Sequence, residues 1–143
     1  MDQVYDAHGI RFQFPDDWEV TEQRRGTEIW ISAESPYTAF WCLGLFPDRP
    51  HAEHVIESAL ESFCDEYDDL DIYPSDAQQS DARTVARDLE FVSMDLINSA
   101  FLRAFETEAF TALVLFQAND AELEETRPIF EKMCRSLAWD CGI

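Results

Sequence analysis

Ala109-Phe110-Thr111-Ala112-Leu113-Val114-Leu115-Phe116-Gln117 is the stretch on which the fold turns. Successive side chains of a β-strand point to opposite faces. Phe110, Ala112, Val114 and Phe116 therefore share one face, and Leu113 and Leu115 share the other. A strand that is apolar on both sides needs a layer of structure over each. It predicts the middle of a sandwich, with no solvated face.

The flanking sequence fits that role. Upstream, residues 83–93 and 100–106 read as two further long strands. Downstream, Asn119-Asp120 offers an N-cap, with Glu122 three residues after Asn119 as in a capping box. The helix that follows turns Leu123, Ile129, Phe130, Met133, Cys134 and Leu137 inward. Pro128 lies inside it and is expected to kink or restart it, because proline forfeits a backbone hydrogen bond.

Further upstream, residues 9–14 alternate apolar and polar and stop at Pro15-Asp16-Asp17, so they read as a strand and a turn. Residues 18–23 and 27–32 form two short strands around Gly26, which can take positive φ in a hairpin. Residues 38–46 are apolar at nearly every position, and Pro47-Asp48-Arg49-Pro50 ends that strand. Ala52, Val55, Ile56, Ala59, Leu60 and Phe63 then recur at helical spacing, with Glu53, Glu57 and Glu61 on the opposite side. Residues 70–73 are a short strand and 74–81 a polar connection. Strands, helix, strands, helix without a βαβ series predict an α+β fold. It is read as one domain over residues 1–143, with a central, mostly antiparallel sheet covered on both faces to make three layers.

This order resembles the PsbP-like superfamily, which includes the Ran guanine-nucleotide-release factors, DcrB-type bacterial proteins and related effector chaperones of secretion systems. The residues that carry the resemblance are Phe12-Gln13-Phe14-Pro15-Asp16-Asp17-Trp18, the strands of 101–117 joined at Glu106-Thr107-Glu108, and a closing helix with Pro128, Phe130 and Ser136. The resemblance implies an α/β/α sandwich in a superfamily whose members mostly act by binding proteins. The chaperone branch implies homodimers that hold apolar segments of their clients.

Charge narrows the partners. Thirty acidic residues against ten basic ones leave a net charge of −20, with Lys132 the single lysine. Nucleic acid and anionic membrane are excluded, since binding either needs clustered cations. Nineteen aromatic residues (eleven Phe, four Tyr, four Trp) supply more apolar surface than disordered chains carry. The N-terminal residues have no signal-peptide pattern, and no run of eighteen apolar residues occurs, so a cytoplasmic protein is expected. Cys42, Cys64, Cys134 and Cys141 have no C-x-x-C spacing and read as reduced, buried thiols.

Nearly half of the charge falls in residues 51–80, which hold nine acidic side chains and no Lys or Arg. Within them Asp65, Glu66, Asp68, Asp69 and Asp71 form a run that fails the calcium-loop pattern, because its sixth position is Leu70 and its twelfth Asp76. Such a field suits steering of a basic protein or peptide. Solubility or adaptation to salt would produce it as well. Trp30, Phe40, Trp41 and Phe46 cluster on the strands just before the first helix. If some stay exposed they form an apolar patch, and a homodimer that Trp41→Asp would break is one expectation. His51 and His54 lie three residues apart and are weak metal-ligand candidates, with no third ligand in sight.

Enzyme signatures are missing: isolated glycines exclude a phosphate loop, and there is no G-x-S-x-G. No catalytic residue, cofactor or metal is therefore assigned. The expectation is a protein-binding module of the chaperone or adaptor kind, with an apolar surface that includes Trp30, Phe40 and Trp41 and is rimmed by the acidic run. The alternative is a small-ligand or metal-dependent enzyme using a cleft between layers.

Overall fold

Residues 2–75 and 84–139 are described by a computed structural model of the chain. Most of the expected polar connection, from residue 76 onward, and Cys141 lie outside them. The chain runs β1 (Asp2–Ala7), β2 (Ile10–Pro15), β3 (Glu19–Arg25), β4 (Glu28–Glu34), β5 (Phe40–Phe46) and α1 (Ala52–Glu66). It continues with β6 (Asp71–Pro74), β7 (Thr84–Ser93), β8 (Leu96–Glu106), β9 (Thr111–Asn119), α2 (Asp120–Ser136) and β10 (Ala138–Trp139).

Seven strands form an antiparallel sheet in the order β3-β4-β5-β9-β8-β7-β6, so the doubly apolar stretch is its middle strand. One face carries Ile31, Trp41, Leu43, Val114 and Phe116 against α2 and β2, where Phe12, Phe14, Phe130 and Met133 close the larger core. The other face carries Leu89, Phe91, Leu102 and Leu113 against Val55 and Ile56 of α1. Two layers over one sheet follow from the two-sided strand, and the α+β sandwich stands. The fold departs from the expectation in one respect. The layer over the larger core is α2 together with a second, three-stranded sheet, β1-β2-β10.

Neither β1 nor β10 was expected. β1 is exposed along most of its length, so its sequence lacks the one-sided apolar pattern. It is held by the hairpin at His8-Gly9, with φ of 56° and 77°, and by an ion pair between Asp2 and Lys132 of α2. Gly26 takes φ 62°, as its place in the β3–β4 hairpin requires.

The α2 cap forms only by half. Asn119 Oδ1 accepts from Glu122 N at 3.1 Å, but the Glu122 carboxylate does not turn back to its own helix. It accepts instead from the backbone N–H of Thr38 at 3.1 Å and from the Thr38 hydroxyl, tying the helix start to the entry of β5. Pro128 does not restart the helix, which runs unbroken from Asp120 to Ser136. At the other helix, the Thr111 hydroxyl donates to Pro50 O at 2.6 Å and Arg49 Nε to Thr107 O at 3.0 Å, fixing where α1 begins.

Candidate protein-binding surfaces

The residues singled out in the sequence are divided between two ends of the large sheet. Trp30 and Phe40 lie on β4 and β5, on the side of the sheet that faces α1. Asp65 and Glu66 close α1, Asp68 and Asp69 follow it, and Asp71 opens β6 at the far edge. Five strand spacings separate β4 from β6, roughly 24 Å at ~4.8 Å per strand. The apolar strand and the acidic run adjoin in sequence and part in space.

Trp41 is a correction. Its neighbours on β5 alternate faces, and its own face is the one under β2 and α2, where it is 0% exposed and packs on Phe12 at 4.6 Å between ring centroids. It is core and cannot line a surface or a dimer interface. Trp41→Asp would put a charge into the larger core and unfold the chain instead of parting two copies.

Trp30 remains half-buried because its ring lies flat across Gly44 of β5: a Cβ there would stand 2.7 Å from the ring. Phe46 meets it edge-on at 5.6 Å, Arg25 stands 5.8 Å over it, and its Nε1–H donates to Glu28 at 3.0 Å. Between this ring and α1 runs an open groove of about 440 Å³, with Pro50, His54, Ser58 and Ser62 along its wall. His51 lines a different depression, with Arg49, Glu106 and Glu108, and its Nδ1 is 3.7 Å from Glu106. The two imidazoles thus serve different surfaces, and among the described residues no three potential ligands gather to hold a metal ion.

The thiols also divide. Cys42 and Cys134 are largely covered, and burial pushes both above the ordinary thiol value, which suits inert packing groups. Cys64 is exposed on α1, contrary to the expectation of buried thiols.

At the opposite end of the sheet a different surface emerges. Among the described residues nine large apolar side chains are exposed, and six of them, Ile72, Tyr73, Val92, Met94, Leu96 and Ile97, belong to β6 and the β7–β8 hairpin. Val92 pairs with Ile97 across the hairpin, so they share the sheet face turned away from α1. On that same face Asp71 stands directly opposite Glu90, with Tyr73 opposite Asp88 one pleat further. Tyr67 stacks on Phe91 at 4.0 Å on the α1 side of the sheet, and Asp71 is the member of the acidic run that the register places on the face of Val92.

The sequence hid this surface for a physical reason. A two-residue hairpin turn needs positive φ at both central positions, and Asn-Gly or Asp-Gly usually marks it. Here Met94 and Asp95 fill those positions at φ 54° and 64°, so residues 94–99 read as a loop and β8 was expected to start four residues late.

Cations are sparse in the sequence around this corner. No Lys or Arg occurs from residue 50 to 82 or between Arg87 and Arg103. The last turn of α1 has no basic residue, so Asp65 and Glu66 sit at the negative end of the helix dipole. The carboxylates of Asp71 and Glu90 both push the Tyr73 phenol above its ordinary value, which reports the negative field they make together. Arg127 of α2 is held over the Phe101 ring at 5.0 Å.

No helix among the described residues is long and apolar enough to cross a membrane. No family model and no curated protein matches the chain. Solved structures do. A protein of unknown function from Pseudomonas aeruginosa, PA94, aligns over 97% of this chain and 97% of its own, at a TM-score of 0.51 and 13% identity. The cyanobacterial PsbP (CyanoP) of Synechocystis sp. PCC 6803 aligns over 97% of this chain and 92% of its own, at a TM-score of 0.51 and 12% identity. At such identities the likeness speaks for architecture alone, and that architecture is the PsbP-like fold.

Proposed function

We propose that this chain is a non-enzymatic, cytoplasmic protein-binding module that works as an adaptor or as a chaperone for a protein client. The observation that carries the reading is the exposed group Val92, Met94 and Ile97 at the β7–β8 hairpin, with Val92 and Ile97 on the same sheet face as Asp71 and Glu90. Exposed apolar groups scattered singly need no explanation, whereas a contiguous group with a polar rim has the composition of an interface. Asp71 and Glu90 lie one pleat from Val92 and Ile97 on that face, which puts negative charge where steering would help. The secretion-effector chaperone type is the sharper version of that reading.

The test is a cross-linking capture from the native host with wild type and with Val92→Ser/Ile97→Ser. A partner held by the first and lost by the second supports the module. A partner captured equally by both removes this surface from the function. The rival reading, an enzyme in the groove beside Trp30, would be supported by a thermal shift of several degrees with one metal, nucleotide or metabolite.

A further inference from the structure

Resting on that reading and naming its partner, we infer that the β6–β7–β8 corner takes a cationic, apolar polypeptide segment of another protein: Arg or Lys interleaved with apolar side chains. The argument begins with Asp71 and Glu90. They are directly opposed across two neighbouring strands, a position where like charges weaken pairing. Among the described residues neither has an ion-pair partner. The same opposition occurs at Glu19 and Glu34 between β3 and β4, so what sets Asp71 and Glu90 apart is their neighbourhood: they share a face with Tyr73 and with the exposed pair Val92 and Ile97.

The apolar half of the site adjoins them. Along β7, Val92 follows Glu90 on the same face, and Ile97 lies beside Val92 on β8, at 63% and 49% exposure. Met94, at 93%, stands at the turn between them. Burying these chains supplies hydrophobic free energy without specificity, and the paired carboxylates select the occupant. A second copy docked symmetrically is the wrong occupant, since it would bring the same carboxylates against the corner, with −20 on each copy. An uncharged apolar segment would bury Asp71 and Glu90 without a counter-charge, which is costly. A segment with guanidinium or ammonium groups between apolar ones meets both demands, because its long stems lie along the apolar surface while its heads reach the carboxylates.

The experiment uses the full chain and three labelled synthetic peptides of one length: alternating Leu and Arg, Leu and Gln, and Leu and Glu. Binding is read by fluorescence anisotropy at low and high salt. The Leu/Arg peptide is expected to bind, to weaken with salt, to lose about tenfold on Asp71→Asn/Glu90→Gln and as much on Val92→Ser/Ile97→Ser. Equal loss on a control pair from the exposed side of α1, Glu53→Gln/Glu57→Gln, would show diffuse attraction to an acidic protein and overturn the inference. Preference for the Leu/Gln peptide, with loss only on the Val92/Ile97 variant, would keep the protein-binding reading and overturn the cationic partner. A dimer by light scattering that Ile97→Asp dissolves would put a second copy on the corner and overturn it too. No peptide binding at any salt would count against both.

Discussion

The two ends of the seven-stranded sheet use the same kinds of residue to opposite ends. At the β3–β4–β5 end Trp30, Glu28 and Glu22 have partners within the molecule: Trp30 lies across Gly44 and meets Phe46, Glu28 accepts from the Trp30 indole, and Glu22 accepts from Tyr5 and lies 3.0 Å from His8. At the β6–β7–β8 end Val92, Met94 and Ile97 face solvent, and Asp71 faces Glu90. Groups with partners inside the fold report on stability. Groups without an ion-pair partner among the described residues report on binding, and substitutions at the two ends separate these roles.

The largest separation is expected between Trp41 and Ile97. Trp41→Ala empties the centre of the larger core and is expected to cost about 3–5 kcal/mol. Ile97→Ala, on an exposed hairpin, is expected to stay within about 0.5 kcal/mol. Urea unfolding measures both. A large loss at Ile97 would mean that the corner belongs to the core, and would break the comparison.

Gly44→Ala probes the β4–β5 contact and comes next. The new methyl would meet the Trp30 ring 2.7–3.0 Å away, with overpacking expected to cost about 1–3 kcal/mol. Trp30→Val removes the ring and should make the same Gly44→Ala change nearly neutral. A double-mutant cycle checks the rescue. If the cost persists without the ring, the backbone of β5 and not Trp30 sets the need for glycine.

How much of this could be read from the chain depends on which residues carry the signal. The stretch around Leu113-Val114-Leu115-Phe116 announces two layers because its apolar residues alternate without a gap, and the sheet places it in the centre. Trp41 was misassigned because a strand apolar on both faces does not say which face is covered. Only the register Trp41–Phe116 sets it under α2. The acidic run was visible and its surroundings were not. Asp71 meets Glu90 through a pairing nineteen residues apart in sequence, and the turn that exposes Met94 lacks the glycine that would have marked it. β10 is two residues long and owes its place to β2, a partner at the other end of the chain.

Acid titration sharpens the contrast between carboxylates. Glu22 accepts hydrogen bonds from Tyr5 and His8, and the Tyr5 bond does most to hold it below its ordinary value of 4.5. A depressed carboxyl contributes stability that is present above the unfolded value and lost as pH falls through the folded one. Wild type should therefore lose part of its stability below pH 4.5. Glu22→Gln should start less stable at neutral pH and lose less on acidification. Because Glu22 is solvated, the difference is small. Parallel acid limbs in the two proteins would show that the bond from Tyr5 contributes nothing.

Asp71→Asn gives the smallest effect and the opposite sign. Removing one of two directly opposed like charges should raise stability by about 0.2–1 kcal/mol in low salt. At a few hundred millimolar salt the gain should shrink, since both groups are exposed and screened. Glu90→Gln should do the same, and the double variant should gain little more than either single one, because the first substitution already removes the repulsion. Additive gains would mean that each carboxylate is repelled by the general acidity of the chain. Non-additive gains locate the repulsion between Asp71 and Glu90, which is the local cost that a cationic partner would relieve on docking.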